Sequence, residues 1–297
     1  MVKIVFLGTS QAVPDAKRNQ TSILVSHGSE NILIDCGEGT QRQMKIARIN
    51  ACKITRILIT HWHGDHILGI PGLLQSLAFS NYAKTLHVYG PKGTKRFMDL
   101  MLRLFIFKEK IKVQIHELEE GVFFQNKDLI LESRKMKHSC PCLGYNVIEK
   151  DKRKIKINEL KKIGVKPGPI IKKLQEGKNI KYRGKTVLVS KYTKIVKGKK
   201  ISVILDTSYN ENAVKLVKDA HLMISEACYT TEHKDLAPER GHLTAEQAAK
   251  IAKKGKVKKL ILLHVSQRYK NKDVVVKEAK KTFKNTSLAK DFVKLEI

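Results

Sequence analysis

The chain has 297 residues, 42% of them hydrophobic, which suffices for one large α/β domain or two small ones with a sizeable core. Lys and Arg number 58 against 28 Asp and Glu, and the formal net charge of +30 points to a polyanionic partner such as nucleic acid. Five scattered cysteines without a CxxC pair exclude a disulfide framework or zinc ribbon, and no segment approaches the roughly 20 apolar residues of a membrane span, so the expected setting is a reducing cytoplasm with no membrane.

In chain order, short β-rich apolar runs predict strands at 2–7, 21–26, 31–35, 55–60, 86–90, 128–133, 143–148, 201–206, 221–225 and 258–264. Helical patterns fall at 38–49, 66–79, 92–107, 244–254 and 272–283. The first strands follow one another without helices, which rules out a purely doubly wound sheet. An α/β fold of mixed sheets with helices outside is expected, as a single domain over 1–297.

Residues 151–200 break the rhythm. They hold 18 Lys/Arg and 3 Asp/Glu, a net of +15, so half the excess charge sits in this stretch. Its apolar residues are sparse and "GVKPGP" is rich in turn formers. The stretch reads as a protruding basic insertion that buries little of itself.

The chemistry concentrates in "ILITHWHGDHILGI", residues 57–70. The apolar run closes a strand, placing His61, His63, Asp65 and His66 in the loop at its carboxyl end, with a helix starting near Ile67. Residues two apart in extended backbone point the same way, so His61 and His63 suit one metal ion. Asp65 and His66, turned by Gly64, suit a second ion beside it. One loop cannot saturate two ions, so further ligands are expected at other strand ends. His138 follows a β-type run, Asp206 ends "SVILD" and His264 ends "LILLH". The remaining histidines, His27, His87, His116, His221 and His233, lack such a setting and read as surface or satisfied core residues.

"THWHGDH" resembles the signature of the metallo-β-lactamase superfamily, which implies an αββα sandwich of two mixed sheets flanked by helices. "GTSQAVPDAKRNQTS", "LIDCGEGTQRQ", "KHSCPCLGY", "SEAC", "GHLTAEQAA" and "LLHVSQRY" are similar to segments of the ribonuclease Z family, the tRNA 3′-processing endonucleases. The resemblance spans residues 8–269; Ser225 departs from it, since many members carry His there. It implies two Zn2+ per subunit, one held by His61, His63 and His138, the other by Asp65, His66 and His264, with Asp206 bridging. It further implies that 151–200 is an exosite arm for precursor tRNA, and that the protein forms a homodimer.

The implied reaction is attack of metal-activated water on phosphorus, leaving a 3′-OH on the tRNA and a 5′-phosphate on the trailer. Asp65 would orient the water, and His242, assisted by Glu226, would serve the leaving 3′-oxygen. Lys17, Arg18, Arg268 and Tyr269 are expected to meet the acceptor end by phosphate pairing and base stacking, and Lys166 to touch tRNA from the arm. Two rival readings keep the metal loop or the charge: a same-fold dinuclear zinc hydrolase of small phosphodiesters or thioesters, and an RNA-binding protein with a decayed metal site.

Overall fold

Two seven-stranded mixed sheets dominate the computed structural model, which describes residues 1–106, 111–166 and 168–297. The contacts divide these residues into two compact units, Met1–Ile148 with Lys200–Ile297, and Glu149–Lys199.

In the first unit, one sheet runs in the order Lys294–Glu296, Lys3–Gly8, Ser22–His27, Glu30–Ile34, Arg56–Leu58, Thr85–Gly90 and Lys112–Glu117. Its first four strands pair antiparallel, with a tight turn joining Ser22–His27 to Glu30–Ile34, and the later ones pair parallel because helices intervene. The other sheet runs Thr286–Leu288, Leu260–Leu263, Leu222–Glu226, Lys200–Ile204, Cys142–Glu149, Leu129–Met136 and Gly121–Gln125. Alternate residues from the two sheets, among them Ile4, Phe6, Ile32 and Leu58 with Leu131, Tyr145, Val203 and Ile261, close one apolar core between them.

A second apolar layer lies outside the first sheet, under the helices Thr40–Ile46, Ile70–Phe79 and Thr94–Leu104. A third lies outside the other sheet, under Glu211–Val217, Ala245–Lys254 and Asp273–Thr282. This is the αββα layering that the resemblance implied. The strands Lys112–Glu117 and Gly121–Gln125 and the helix Glu211–Val217 were not anticipated; each is short and mixes polar with apolar positions. Residue 107, the expected end of the third predicted helix, and Pro167 of the Gly/Pro tip lie outside the described residues. Among the described residues, no helix is long and apolar enough to cross a membrane.

Two corrections concern the metal loop and the basic insertion. The expected helix 66–79 is two helices, Gly64–Ile67 and Ile70–Phe79, so Asp65 and His66 sit in a first helical turn instead of the preceding loop. The break falls at Gly69, whose amide donates to the Cys36 carbonyl at 2.9 Å, and a Cβ there would stand 2.1 Å from the Gly37 carbonyl oxygen. The unit Glu149–Lys199, expected to bury little of itself, has an ordered interior. Its described residues form two short antiparallel strand pairs, Lys152–Ile155 with Thr193–Val196 and the hairpin Ile180–Tyr182 with Lys185–Val187, plus three short helices. Leu160, Val165, Leu174, Ile180, Val187 and Tyr192 form its own small core. Its apolar residues are thin along the sequence, but helical and strand periodicity put them on common faces.

Candidate metal centre

His61, His63, His138 and Asp206 offer donor atoms that converge, and Asp65, His66 and His264 form an adjoining group. In the first, His61 Nε2 lies 3.1 Å from His63 Nδ1, and His138 Nε2 lies 3.2 Å from the same atom. Asp206 Oδ2 stands 3.6 Å from His61 Nε2. In the second, His66 Nε2 and His264 Nε2 are 3.3 Å apart, and each is 3.3 Å from Asp65 Oδ2. Asp206 turns its other oxygen, Oδ1, to this group, 3.5 Å from His66 Nε2 and 3.3 Å from His264 Nε2. The seven residues named from spacing and strand ends thus meet in one place, with Asp206 between two half-sites. Asp206 itself lies two residues past the strand Lys200–Ile204, not at its last position.

The outer nitrogens of the rings explain why the inner ones face one another. His138 Nδ1 donates to the Gly241 carbonyl at 2.9 Å, which leaves its Nε2 as a lone pair facing the centre. Gly241 has φ 71°, and a Cβ there would stand 2.6 Å from His138 Nδ1, so both the turn and the close approach demand glycine.

Asp35, buried and not singled out from the sequence, fixes two more rings. Its Oδ2 accepts from His66 Nδ1 at 2.6 Å and from the Thr60 hydroxyl at 2.6 Å. The Thr60 oxygen in turn lies 3.0 Å from His61 Nδ1, so with its own proton given to Asp35 it accepts that ring's N–H. One carboxylate therefore sets the tautomer of a histidine in each half-site. A signal for it existed: "NILID" is an apolar strand closing on aspartate, the same pattern as "SVILD". Asp35→Ala is expected to lower metal affinity about 10- to 100-fold and to leave buried donors unpaired, measured by chelator competition and thermal unfolding.

The electrostatics are those of a cation site. Burial works to raise Asp206, yet His264 and His66 hold its carboxyl well below the usual range. Burial works against charge on His66, but Asp206 and Asp35 on either side keep its pKa well above that of a free imidazole. Burial, with His66 nearby, pushes His61 well below it. Asp206 Oδ1 and His264 Nδ1 are buried without a hydrogen-bond partner among the described residues. Three carboxylates packed among imidazole lone pairs, with orphaned donors and acceptors, fit divalent ions of the zinc type.

Beside this centre, His242 Nδ1 lies 3.1 Å from Glu226 Oε1 and 3.9 Å from Asp206 Oδ2. Glu226 is wholly buried and also accepts from the Thr207 amide at 2.8 Å. Burial works to lower His242, but Glu226 overrides it and raises the pKa to about 9. His242 lies two residues before Thr244, whose capping box with Gln247 opens the helix Ala245–Lys254, and its amide donates to the Ala237 carbonyl at 2.7 Å.

The expected substrate contacts fare differently. Lys17, Arg268 and Lys166 are exposed. Arg18 spends its Nη1 on the Thr9 hydroxyl at 2.9 Å and the Ala289 carbonyl at 3.0 Å, so it braces its loop rather than standing free. Tyr269 is 8% exposed, with its hydroxyl accepting from the Thr230 amide at 2.9 Å and 2.9 Å from His233 Nδ1. It packs in the apolar layer under the helices Ala245–Lys254 and Asp273–Thr282, so the exposed ring face expected for base stacking is not seen. His233, taken as an ordinary histidine, is its partner.

Comparison with known proteins places these features. The family described as Anti-Pycsar protein Apyc1 matches residues 2–140. A protein named Ribonuclease Z from Methanothermobacter thermautotrophicus is 38% identical over 298 residues, covering 100% of this chain and 97% of its own. Ribonuclease Z of Bacillus cereus is 38% identical over 299 residues, covering 98% and 97%. Among solved structures, the short form of human tRNase Z superposes with a TM-score of 0.73 at 26% identity, covering 99% of both chains. YhfI of Bacillus subtilis, described as a metallo-β-lactamase fold protein, gives 0.72 at 19% identity over 100% of this chain and 99% of its own, and shares the fold. With near-complete coverage at 38% identity, the chain belongs to the ribonuclease Z family.

Proposed function

We propose that the protein is a hydrolytic endoribonuclease that removes the 3′ trailer from tRNA precursors, using two Zn2+ held as His61, His63, His138 and Asp65, His66, His264, with Asp206 between them. The observation that carries this reading is the convergence of seven donor residues into two adjoining half-sites that share one carboxylate. When bound, such ions supply Lewis acidity, acidifying water and neutralising charge on a phosphodiester.

The chain's own groups do the rest. Asp65 accepts a hydrogen bond from the attacking water and directs its lone pair at phosphorus. His242, oriented by Glu226, holds a proton on the ring edge remote from Glu226 for the departing 3′-oxygen. His242→Ala is expected to lower turnover about 10²- to 10⁴-fold, with Glu226→Gln less severe because the ring stays in place; single-turnover cleavage rates check both. The ribose 2′-hydroxyl has no part, so the products are a 3′-OH and a 5′-phosphate.

Substrate grip is assigned to the basic unit Glu149–Lys199, with Lys166 among its contacts, and to Lys17 and Arg268. A homodimer in the cytoplasm completes the reading, consistent with five free thiols among the described residues; mass measurement in solution tests the dimer. Incubating the zinc-loaded protein with a 3′-extended tRNA precursor and mapping the ends is the direct test. A 2′,3′-cyclic phosphate would overturn the mechanism, and hydrolysis confined to small phosphodiesters or thioesters would favour the rival hydrolase.

A further inference from the structure

Asp35, His264 and Ala12 adopt left-handed backbone conformations, with φ of 54°, 55° and 44°. The first two aim chemistry-bearing side chains into the centre. Ala12 has no such side chain, and its contribution is its peptide group. The Ala12 amide donates to Asp65 Oδ2 at 3.0 Å, and the Ala12 carbonyl accepts from Gln20 Nε2 at 2.7 Å. Gln20 is 5% exposed, and its Oε1 accepts from the Glu38 amide at 2.8 Å, so its amide group cannot turn without losing both bonds. The next residue is clamped as well, since the Val13 carbonyl accepts from the Ser10 hydroxyl at 2.9 Å and from Gln267.

A non-glycine residue keeps φ near +44° only where its surroundings over-determine it, and such residues gather at active sites. Here the left-handed turn is what points the N–H at Asp65. We propose that the Ala12 amide, locked by Gln20, is a positioning group for Asp65, fixing the plane of the carboxylate that orients water. A single N–H from rigid backbone removes the carboxylate's freedom to swing about its last bond. The loop that carries Lys17 and Arg18 is thereby mechanically joined to the catalytic carboxylate. The inference rests on the reading of Asp65 given above.

Two arms test it. Replacing the Ala12 amide by an ester, through incorporation of lactic acid at position 12, deletes the donor and keeps the side chain. At saturating zinc the expected result is a loss of about 10- to 100-fold in kcat, with KM for precursor tRNA and zinc affinity changed by less than about threefold. Gln20→Ala should give a smaller loss with the same kcat-against-KM split, and it serves if the ester protein fails to fold. A kcat within about twofold of the unmodified enzyme in both variants, or a rise in KM matching the loss, would overturn the proposal. The second arm needs no substrate: hydrogen exchange at amide 12 should be slow in the zinc-loaded protein and at least about tenfold faster in Asp65→Ala. Equal exchange in the two overturns the contact itself, whatever reaction the enzyme proves to catalyse.

Discussion

Asp65→Ala is expected to lower cleavage of a tRNA precursor by about 10³-fold or more while leaving precursor affinity within about threefold. The asymmetry follows from where the carboxylate sits. Its Oδ2 is shared by His66 and His264 at 3.3 Å and by the Ala12 amide at 3.0 Å, so its energy is committed to the reacting centre. On the proposed reading, affinity for tRNA comes in contrast from many dispersed phosphate contacts, to which a carboxylate adds nothing. Single-turnover kinetics paired with filter binding separates the two. Equal loss of both would sink the catalytic assignment of Asp65.

Deleting residues 150–198 should do the opposite. Ile148 and Lys200 lie directly opposite each other in antiparallel register, so a two-residue turn can rejoin the strands Cys142–Glu149 and Lys200–Ile204 as a hairpin. The excised unit takes its own small core with it. If it contacts six phosphates, the slope of log affinity against log salt is about −4 to −5, and its loss should weaken precursor binding by about 10³-fold at moderate salt while flattening that slope. Hydrolysis of bis(p-nitrophenyl) phosphate should stay within about twofold. If hydrolysis of the small ester falls with tRNA binding, the division of labour between the two units is wrong.

Much of the fold was legible because its pattern is local. Runs such as "KIVFL" and "RILIT" commit to strands wherever they fall, and the missing helices between the first strands already excluded a doubly wound sheet. The strand "KVQIHE" escaped because it alternates weakly and carries a charge at each end. The insertion was misjudged for a related reason. A composition count registers that apolar residues are few, but not that Leu160, Leu174, Ile180 and Val187 come round to one side.

The candidate metal ligands were legible because coordination needs rare side chains in tight spacing, and strand ends are where such side chains can converge. Asp35 was readable in principle, by the signature already applied to Asp206. Tyr269 was misread because an aromatic residue beside arginine looks the same in sequence whether its ring faces solvent or its hydroxyl is tied to Thr230.

By itself, the sequence determined mixed sheets with helices outside, the seven candidate donors and the charge that calls for a polyanion. These depend on residue type and on periods of two to four residues. Only the tertiary structure decided which carboxylate disciplines which imidazole, that a backbone amide at Ala12 grips Asp65, and that the basic insertion has an interior. Such relations join groups far apart along the chain, and a peptide N–H is chemically the same at almost every position until folding gives it a direction.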